Sequence, residues 1–181
     1  MGTVKSLLLG MCFVLGACTS QTSTVQTTEK GTQWEWQNGT IVVKTPERPA
    51  GQKSVLGLTT PKLEAVRVGF VGLGMRGPGA VERFTYIPGT QVVALCDYEE
   101  ARADKCQELL KKASMPKAAV YSGDKGYEEL CKRDDIDLVY IAADWLHHFP
   151  VAKCALENGK NVAIEVPSAM NLQECWDLIN L

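Results

Sequence analysis

Apolar positions change their spacing in a regular order from residue 66 to residue 181. Short apolar runs rich in β-branched residues, which are typical of strands covered on both faces, alternate with segments of helical spacing. The predicted strands are Val66–Val71, Gln91–Cys96, Ala118–Tyr121, Leu138–Ala142 and Asn161–Ile164. The predicted helices are one that follows Gly77 and then Glu99–Ala113, Tyr127–Arg133, Pro150–Asn158 and Asn171–Leu181. This alternation predicts an α/β fold with a doubly wound parallel sheet, a Rossmann domain over residues 66–181.

The first predicted strand runs directly into Gly72-Leu73-Gly74-Met75-Arg76-Gly77, a G-x-G-x-x-G sequence. In a dinucleotide site, Gly72 would make the tight turn and Gly74 would let a pyrophosphate approach the backbone. Gly77 would let the following helix pack on the strand, and Pro78 suits the first helical turn, where an N–H needs no partner. The motif predicts a dinucleotide site; the alternative is a glycine turn that holds no ligand.

The second predicted strand ends at Asp97, twenty residues beyond Gly77. A carboxylate at this place accepts hydrogen bonds from the hydroxyl groups of the adenosine ribose. Asp97 is followed by Tyr98-Glu99-Glu100, and we expect no arginine close to it. A 2′-phosphate would therefore meet like charge, which predicts NAD and not NADP. The alternative is an aspartate that ends the strand and binds nothing.

Two further turns follow predicted strands and should reach the same edge of the sheet. The first is Asp144-Trp145-Leu146-His147-His148 and the second is Glu165-Val166-Pro167. Trp145 would flank the adenine or the nicotinamide, and His148 would donate to the cofactor or orient a substrate. The alternative is that these residues cap and pack the next helix. No metal is expected, because the adjacent side chains of His147 and His148 would diverge.

The amino-terminal residues 1–17 (MGTVKSLLLGMCFVLGA) have the layout of a signal peptide, with one lysine, a short apolar core and small residues. The sequence Leu15-Gly16-Ala17-Cys18 resembles the lipobox of bacterial lipoproteins. That resemblance implies cleavage before Cys18 and a diacylglycerol on its sulfur. It predicts a lipoprotein anchored to a membrane of the bacterial cell envelope; the alternative is a secretory signal with an incidental cysteine.

Residues 18–65 are predicted to form a flexible tether followed by an amino-terminal arm. Thr19–Thr32 is rich in Ser, Thr and Gln and has too little apolar surface to fold. From Trp34 onward the segment is more apolar and is interrupted by Asn38-Gly39 and by prolines. We expect Trp34 and Trp36 to be docked, either on the domain or on a neighbouring subunit. The second arrangement would make the protein a homo-oligomer.

Composition narrows the possible partners and the role of the cysteines. The 181 residues have a formal net charge of −2, and Lys and Arg are not clustered, so nucleic acid is not an expected partner. Cys12 lies in the signal segment and Cys18 would carry lipid. We expect the remaining five to be core thiols, neither metal ligands nor a disulfide framework: Cys96, Cys106, Cys131, Cys154 and Cys175.

Four motifs together resemble the glucose–fructose oxidoreductase and inositol dehydrogenase superfamily: VGFVGLGMRG, ALCD, a W-x-x-H turn and a Glu-x-Pro after the fifth strand. Most dehydrogenases of that superfamily have Glu-Lys-Pro, where the lysine serves the hydroxyl being oxidised. Val166 takes the place of that lysine here. With GLGMRGPGAVERF, EVP-S-A and ECWDL, the chain is more similar to glycoside hydrolase family 109, the NAD-dependent α-N-acetylgalactosaminidases, whose members carry Glu-Val-Pro.

The resemblance implies NAD as cofactor and a glycan or glycoconjugate with terminal α-linked N-acetylgalactosamine as substrate. In that family, oxidation of the sugar 3-hydroxyl by NAD acidifies the proton on C2, the aglycone is eliminated, water adds at C1 and the hydride returns to C3. The acid/base residues lie in a second α+β substrate domain, expected downstream of Leu181, so this chain alone is expected to be inactive. The positions that match the family's cofactor contacts are Met75, Arg76, Asp97, Trp145, Leu146, His147, His148, Glu165 and Val166.

Two other functions stay open from the sequence. One is an ordinary sugar dehydrogenase of the same superfamily, although Val166 in place of lysine counts against it. The other is a lipoprotein without catalytic activity that keeps the nucleotide fold as a binding module. The fate of the cofactor separates the three: a dehydrogenase accumulates NADH, whereas a glycosidase turns over without net NADH and a binding module does not turn over.

Overall fold

A computed structural model describes residues 26–27, 33–45 and 47–181 of the chain. The predicted signal peptide, Cys18 and most of the tether lie outside these residues. The strands are β1 (Gln26–Thr27), β2 (Gln33–Gln37), β3 (Thr40–Val43), β4 (Val66–Val71), β5 (Thr90–Asp97), β6 (Ala119–Ser122), β7 (Leu138–Ile141) and β8 (Asn161–Ile164). The helices are α1 (Gly77–Thr85), α2 (Glu100–Lys112), α3 (Gly126–Cys131), α4 (Trp145–Glu157) and α5 (Leu172–Asn180). Within the described ranges, no helix is both long enough and apolar enough to cross a membrane.

Five strands form one parallel sheet in the order β6-β5-β4-β7-β8. The chain starts in the centre at β4, moves outward to β6, and then returns to pair β7 against the other side of β4. The strand order therefore reverses between β4 and β7, where an open sheet leaves a crevice at its carboxyl edge. The predicted doubly wound parallel sheet is confirmed.

Each face of this sheet carries its own apolar core. On one face, Val68 and Phe70 of β4 pack in a cluster with residues of α1 and α2, including Val81 and Leu110. Phe70 also lies edge-on to Phe84, with ring centroids 5.2 Å apart. On the other face, a second buried cluster joins the sheet to α3 and α4; its members include Val71, Leu130, Val139, Ile141 and Val151. Strands buried on both faces explain why their sequences read as continuous apolar runs.

Helix α4 begins five residues earlier than its sequence indicated. The prediction placed the helix start at Pro150, but the structure places Trp145 in the first turn and Pro150 inside the helix. The cause is Asp144, whose extended backbone and side-chain oxygen cap the helix by accepting from the N–H of Leu146 at 3.0 Å. The predicted turn from Asp144 to His148 is therefore mostly the first turn of a helix.

The amino-terminal arm contains a small antiparallel sheet in the order β1-β2-β3. The hairpin between β2 and β3 turns at Asn38-Gly39, where both residues have positive φ (50° and 79°), as a tight two-residue hairpin turn requires. Trp34 is half-buried, but Trp36 remains 56% exposed. Docking on the domain is therefore not seen for Trp36, and docking on a neighbouring subunit stays a prediction.

The cysteines of the domain differ in their surroundings. Cys96, Cys106 and Cys131 are buried, as predicted for core thiols. Burial, assisted by the nearby Asp97 carboxylate, raises the pKa of Cys96 to about 12 and that of Cys106 to about 11. Cys175 on α5 is exposed, so its assignment to the core was wrong.

Candidate functional site

A cavity of about 1020 Å³ lies at the carboxyl edge of the parallel sheet. Eleven of the twelve residues predicted to contact the cofactor line it: Gly72, Gly74, Met75, Arg76, Asp97, Trp145, Leu146, His147, His148, Glu165 and Val166. The twelfth, Gly77, is buried beneath the glycine turn at the start of α1. The structure thus brings together residues that are separated by up to 94 positions in the sequence, from Gly72 to Val166.

Two glycines of the motif occupy places where no other residue fits. Gly72 has φ of 90°, and a Cβ there would lie 2.3 Å from the backbone nitrogen of Ala143. A Cβ on Gly77 would lie 2.0 Å from the carbonyl oxygen of Gly72. These contacts confirm the tight turn at Gly72 and the close packing of α1 on it. At Gly74 the backbone is open, since a Cβ would meet nothing nearer than Arg102 Nη1 at 3.5 Å.

Asp97 is at the end of β5, and its carboxylate already accepts hydrogen bonds from the chain itself. Oδ2 accepts from the N–H of Leu73 at 2.6 Å, and Oδ1 accepts from the N–H of Glu99 at 3.0 Å. The residue is only 5% exposed. A carboxylate has about four acceptor positions, so Asp97 fixes the glycine turn and still keeps acceptor capacity for a ligand hydroxyl. The sequence alone does not indicate that Asp97 also holds the glycine turn.

Arg102 corrects the expectation that no arginine lies near Asp97. Its Nη1 is 3.3 Å from Asp97 Oδ1, and its Nη2 donates to Glu99 Oε1 at 2.8 Å. Helix α2 starts at Glu100, so its first turn carries Arg102 back over the end of β5. The charges of Asp97, Glu99 and Arg102 sum to −1. A 2′-phosphate would therefore still meet net negative charge, as predicted, although the group contains one cation.

The end of β7 is organised by Asp144. Its Oδ2 is 2.6 Å from His147 Nδ1, and His147 Nε2 is 3.6 Å from Asp124 Oδ1. Partial burial opposes ionisation of Asp144, but the hydrogen bonds from His147 and from the Leu146 N–H outweigh it and lower the pKa of the carboxyl. His147 thus pairs with carboxylates, while Trp145 is 60% exposed at the cavity rim.

His148 lies deeper, at 2% exposure. Its Nδ1 is 2.7 Å from the carbonyl oxygen of Pro167. A carbonyl only accepts, so Nδ1 carries a hydrogen and donates it. The donor that the sequence assigned to the cofactor is therefore used within the chain. The other ring nitrogen, Nε2, is buried and has no hydrogen-bond partner among the described residues.

The turn after β8 presents an oriented carboxylate and an apolar side chain. Glu165 Oε1 accepts from the hydroxyl of Tyr140 at 2.8 Å. Burial and this contact with Glu165 raise the pKa of Tyr140, which keeps the phenol protonated as a donor. Val166 is 83% exposed at the cavity. The turn therefore offers no side chain at position 166 that could carry a proton.

Sequence reasoning missed several residues of the cavity wall, including Arg102, Asp124 and Tyr127. Asp124 and Tyr127 follow β6, whose carboxyl end lies at the same edge as the others. The rule that places ligands at carboxyl ends could have found them. Arg102 could have been found from its spacing of three to Glu99, which favours an ion pair at a helix start.

The residues present fit a dinucleotide. Gly74 leaves room for close approach to the backbone. The first-turn N–H groups of α1 have no partners inside the helix and are suited to phosphate oxygens. Asp97 and His148 stand at opposite ends of the cavity with acceptor capacity. The chain therefore offers polar contacts along the length of the cavity, as two linked nucleotides need.

Comparisons with known proteins agree with this geometry. A family model described as an oxidoreductase family with an NAD-binding Rossmann fold, Gfo/Idh/MocA, matches residues 66–181. The chain is 79% identical over its whole length to glycosyl hydrolase family 109 protein 4 of Phocaeicola vulgatus, and covers 35% of that protein. It is 56% identical over 98% of its length to glycosyl hydrolase family 109 protein 1 of Bacteroides thetaiotaomicron, and covers 37% of that protein. The resemblance to family 109 is confirmed, and the chain spans about a third of the length of these curated relatives.

Among solved structures, myo-inositol dehydrogenase from Lactobacillus casei in complex with NAD(H) and myo-inositol has a TM-score of 0.56 and 26% identity. The match covers 64% of this chain and 32% of that one. KijD10, a 3-ketoreductase from Actinomadura kijaniata in complex with TDP-benzene and NADP, has a TM-score of 0.54 and 26% identity in its open conformation. That match covers 64% of this chain and 35% of the ketoreductase. Both likenesses support the Rossmann architecture of residues 66–181.

Proposed function

Because the chain belongs to the Gfo/Idh/MocA oxidoreductase family, with an NAD-binding Rossmann fold, we propose that it forms the cofactor site of a glycosidase. The cofactor is NAD. The proposed reaction is the removal of terminal α-linked N-acetylgalactosamine from a glycan or glycoconjugate. Its support is the name of the relatives, glycosyl hydrolase family 109 proteins, at 79% identity.

The observation that carries the proposal is the convergence of the motifs on one cavity. The glycine turn after β4, Asp97 after β5, the start of α4 and the turn after β8 all line the same space. Gly74 gives access to the backbone, and Asp97 stands where an adenosine ribose binds in this fold. The chain's own residues therefore hold and orient the dinucleotide along the sheet edge.

Val166 favours a glycosidase over an ordinary dehydrogenase. When bound, NAD would supply reversible oxidation of the sugar 3-hydroxyl, so hydrolysis would leave no net NADH. Oxidation of a hydroxyl needs a group that takes its proton in either enzyme. In most dehydrogenases of the superfamily the lysine of Glu-Lys-Pro serves that hydroxyl, and the exposed Val166 side chain in its place cannot. We assign the acid and base that act on the sugar to residues beyond the described part of the chain.

We also propose that the protein is anchored to the bacterial cell envelope through lipid on Cys18. The support is the Leu15-Gly16-Ala17-Cys18 sequence and the apolar core that precedes it. Several acyl chains, at about 0.8 kcal/mol for each buried methylene, hold a protein on a membrane. Cys18→Ser should yield unprocessed precursor or soluble protein. Normal processing with retained membrane attachment in that variant would rule out the anchor.

The test of the proposed reaction follows a proton. The protein, at its full natural length, is incubated in deuterated water with NAD and a chromogenic α-N-acetylgalactosaminide, and the released sugar is analysed. Elimination and re-addition exchange the proton on C2, so deuterium is expected there, with no accumulation of NADH. Release of sugar without deuterium at C2 would exclude the redox route. Accumulation of NADH without release would indicate a dehydrogenase instead.

A further inference from the structure

We propose that Tyr140 is a positioning residue of the cofactor site: its hydroxyl holds the Glu165 carboxylate in the orientation that favours binding of NAD. This role rests on the proposed NAD site and adds to it a residue that lies outside the cavity. Tyr140 does not touch the cofactor. It acts through the carboxylate of Glu165, so the loss of one remote hydroxyl weakens the binding of NAD.

The Tyr140 hydroxyl donates to a carboxylate that forms part of the cavity wall. Its oxygen is 2.8 Å from Glu165 Oε1. Glu165 lines the cavity, whereas Tyr140 lies behind it. A carboxylate has about four acceptor positions, so Glu165 keeps positions for a ligand donor while Tyr140 fixes one of them. Because the acceptor is charged, this hydrogen bond belongs to the stronger class.

The register of β7 and β8 places the two side chains on one face of the sheet. Tyr140 of β7 is paired with Ala163 of β8. Side chains alternate along a strand, so Glu165, two residues after Ala163, lies on the same face as Tyr140. The N–H of Glu165 also donates to the Ile141 carbonyl at 2.9 Å, which extends the pairing to this residue. The backbone therefore brings Glu165 within reach of Tyr140, and the hydroxyl selects one orientation of its side chain.

The Tyr140 side chain is itself held by helix α1 and strand β4. Its ring centroid is 5.3 Å from that of Phe70 and 5.7 Å from that of Phe84, which meets it edge-on. Arg83, in the last turn of α1, also forms a hydrogen bond with the Tyr140 side chain. A donor fixed in this way loses little conformational freedom when it orients Glu165, so the carboxylate is preorganised before a ligand arrives. Arg83 and Phe84 belong to the GLGMRGPGAVERF motif, whose final residues thus have a role in this network.

The strand order indicates which half of a dinucleotide gains from the oriented carboxylate. Glu165 follows β8, which is three strands away from β5 and Asp97. Three strand intervals correspond to roughly 14 Å of sheet edge. With the adenosine ribose at Asp97 and the diphosphate at Gly74, the nicotinamide riboside is the half that extends toward β8. The Tyr140 hydroxyl should therefore affect the binding of NAD and not that of ADP, which lacks this half.

Tyr140→Phe removes the hydroxyl and keeps the ring that packs on Phe70 and Phe84. We expect this variant to bind NAD about fivefold more weakly, which is about 1 kcal/mol, and to bind ADP with unchanged affinity. Tyr121→Phe is the matched control in the same sheet. The Tyr121 hydroxyl, on β6, accepts from Arg133 Nη1 at 3.3 Å and lies outside the cavity wall. Its loss should leave the affinity for NAD unchanged.

A double-mutant cycle with Glu165→Ala measures whether Tyr140 acts through Glu165. Glu165→Ala should weaken NAD binding at least as much as Tyr140→Phe does. Once the carboxylate is gone, the hydroxyl has nothing to position, so Tyr140→Phe should cause no further loss in that background. The affinities are measured by calorimetric titration of the protein, at its natural length and freed of cofactor, with NAD and with ADP.

Three results would overturn the role of Tyr140. The first is unchanged NAD affinity in Tyr140→Phe. The second is an equal loss for NAD and ADP in that variant, or an equal loss of NAD affinity in Tyr121→Phe, because the hydroxyl would then support only the fold. The third is an undiminished loss in the Glu165→Ala background. Failure of the proposed NAD site is a different result, because wild-type protein would then bind neither NAD nor ADP.

Discussion

The two ends of the cavity differ in how far the chain satisfies its own polar groups. At the end proposed for the adenosine, the buried Asp97 carboxylate accepts from two backbone N–H groups and lies 3.3 Å from Arg102. At the other end, the buried His148 ring uses one nitrogen on Pro167 and leaves the second without a partner among the described residues. At the Asp97 end, the chain itself supplies hydrogen-bond donors to the buried side chain. At the His148 end, the second ring nitrogen gains a partner only when a ligand binds.

This difference has a physical consequence for binding. An end whose side chains are held by hydrogen bonds loses little conformational freedom when a ligand arrives, so its contacts contribute more to affinity. An end with an unpartnered buried acceptor gains a hydrogen bond only when the correct donor is present. We therefore expect the adenosine half to supply most of the affinity and the His148 end to select the nicotinamide half.

The largest expected effect comes from the turn that both ends share. In Gly77→Ala the new Cβ would lie 2.0 Å from the Gly72 carbonyl oxygen, so we expect a loss of about 3 kcal/mol in the free energy of unfolding and loss of NAD binding. Gly79→Ala is the matched control in the same helix. Its Cβ would meet only the flexible Arg83 side chain at 3.6 Å, so a gain of about 0.5–1 kcal/mol is expected. Urea unfolding measures both; similar effects would show that the turn is not tightly packed.

Asp97→Ala should affect folding and binding together. It leaves the Leu73 and Glu99 N–H groups without their acceptor, which costs about 1–3 kcal/mol of stability, and it removes a charged acceptor for the ribose. We expect NAD affinity to fall about tenfold or more. Asp104→Ala, at an exposed position of α2, is the control and should change neither quantity. Unchanged NAD affinity in Asp97→Ala would refute the placement of the adenosine ribose.

Glu99→Gln tests how the adenosine end discriminates between NAD and NADP. Glu99 holds Nη2 of Arg102 at 2.8 Å, and its loss brings the charge of the group with Asp97 from −1 to zero. Nη2 of Arg102 is then free to meet a 2′-phosphate, so the affinity for NADP relative to NAD should rise by roughly fivefold. Arg102→Gln should lower the same ratio. An unchanged ratio in Glu99→Gln would show that Asp97 alone sets the preference.

The smallest effect on NAD binding is expected at the amino edge of the parallel sheet, opposite the cavity. The Arg67 side chain donates two hydrogen bonds to Asp137, and this pairing lowers the pKa of the Asp137 carboxyl below its usual value. Because the folded pKa is depressed, the stabilisation is fully present above about pH 4, the ordinary value, and is lost as the pH falls through the folded pKa. Asp137→Asn should lower stability at pH 7 and leave NAD affinity unchanged.

Urea unfolding of wild type and Asp137→Asn at a series of pH values measures this effect. The difference between the two should be constant from about pH 5 to pH 7 and should shrink below about pH 4. A difference that persists in acid would show that the carboxylate charge contributes nothing. Weaker NAD binding in the variant would show that the two edges of the sheet are coupled.

Most of the parallel domain could be predicted because its signals are local. Strands β4, β5 and β8 are continuous apolar runs, and the glycines of the turn are needed for contacts close in sequence, such as Gly77 with Gly72. The start of α4 was missed because Pro150 resembles a helix start, while the real signal was the capping side chain of Asp144. The Asn38-Gly39 pair is an equally local signal for the hairpin between β2 and β3, although it was predicted only to interrupt the arm.

The details of the cavity depend on contacts between distant segments and could not be predicted. His148 was expected to donate to the cofactor, but the direction of its hydrogen bond is determined by Pro167, nineteen residues away. Asp97 was assigned to the ribose alone, although Leu73, twenty-four residues earlier, also donates to it. The residue types indicated where polar groups come together. Only the folded chain shows which of those groups already have a hydrogen-bond partner.

The most direct test is a crystal structure of the protein at its natural length with NAD. The expected complex has the adenosine ribose at Asp97, the diphosphate over Gly74 and the nicotinamide riboside between His148 and Val166, with His148 Nε2 accepting from it. NAD bound in the reverse direction, or outside the cavity at the carboxyl edge of the sheet, would contradict the assignment of both ends.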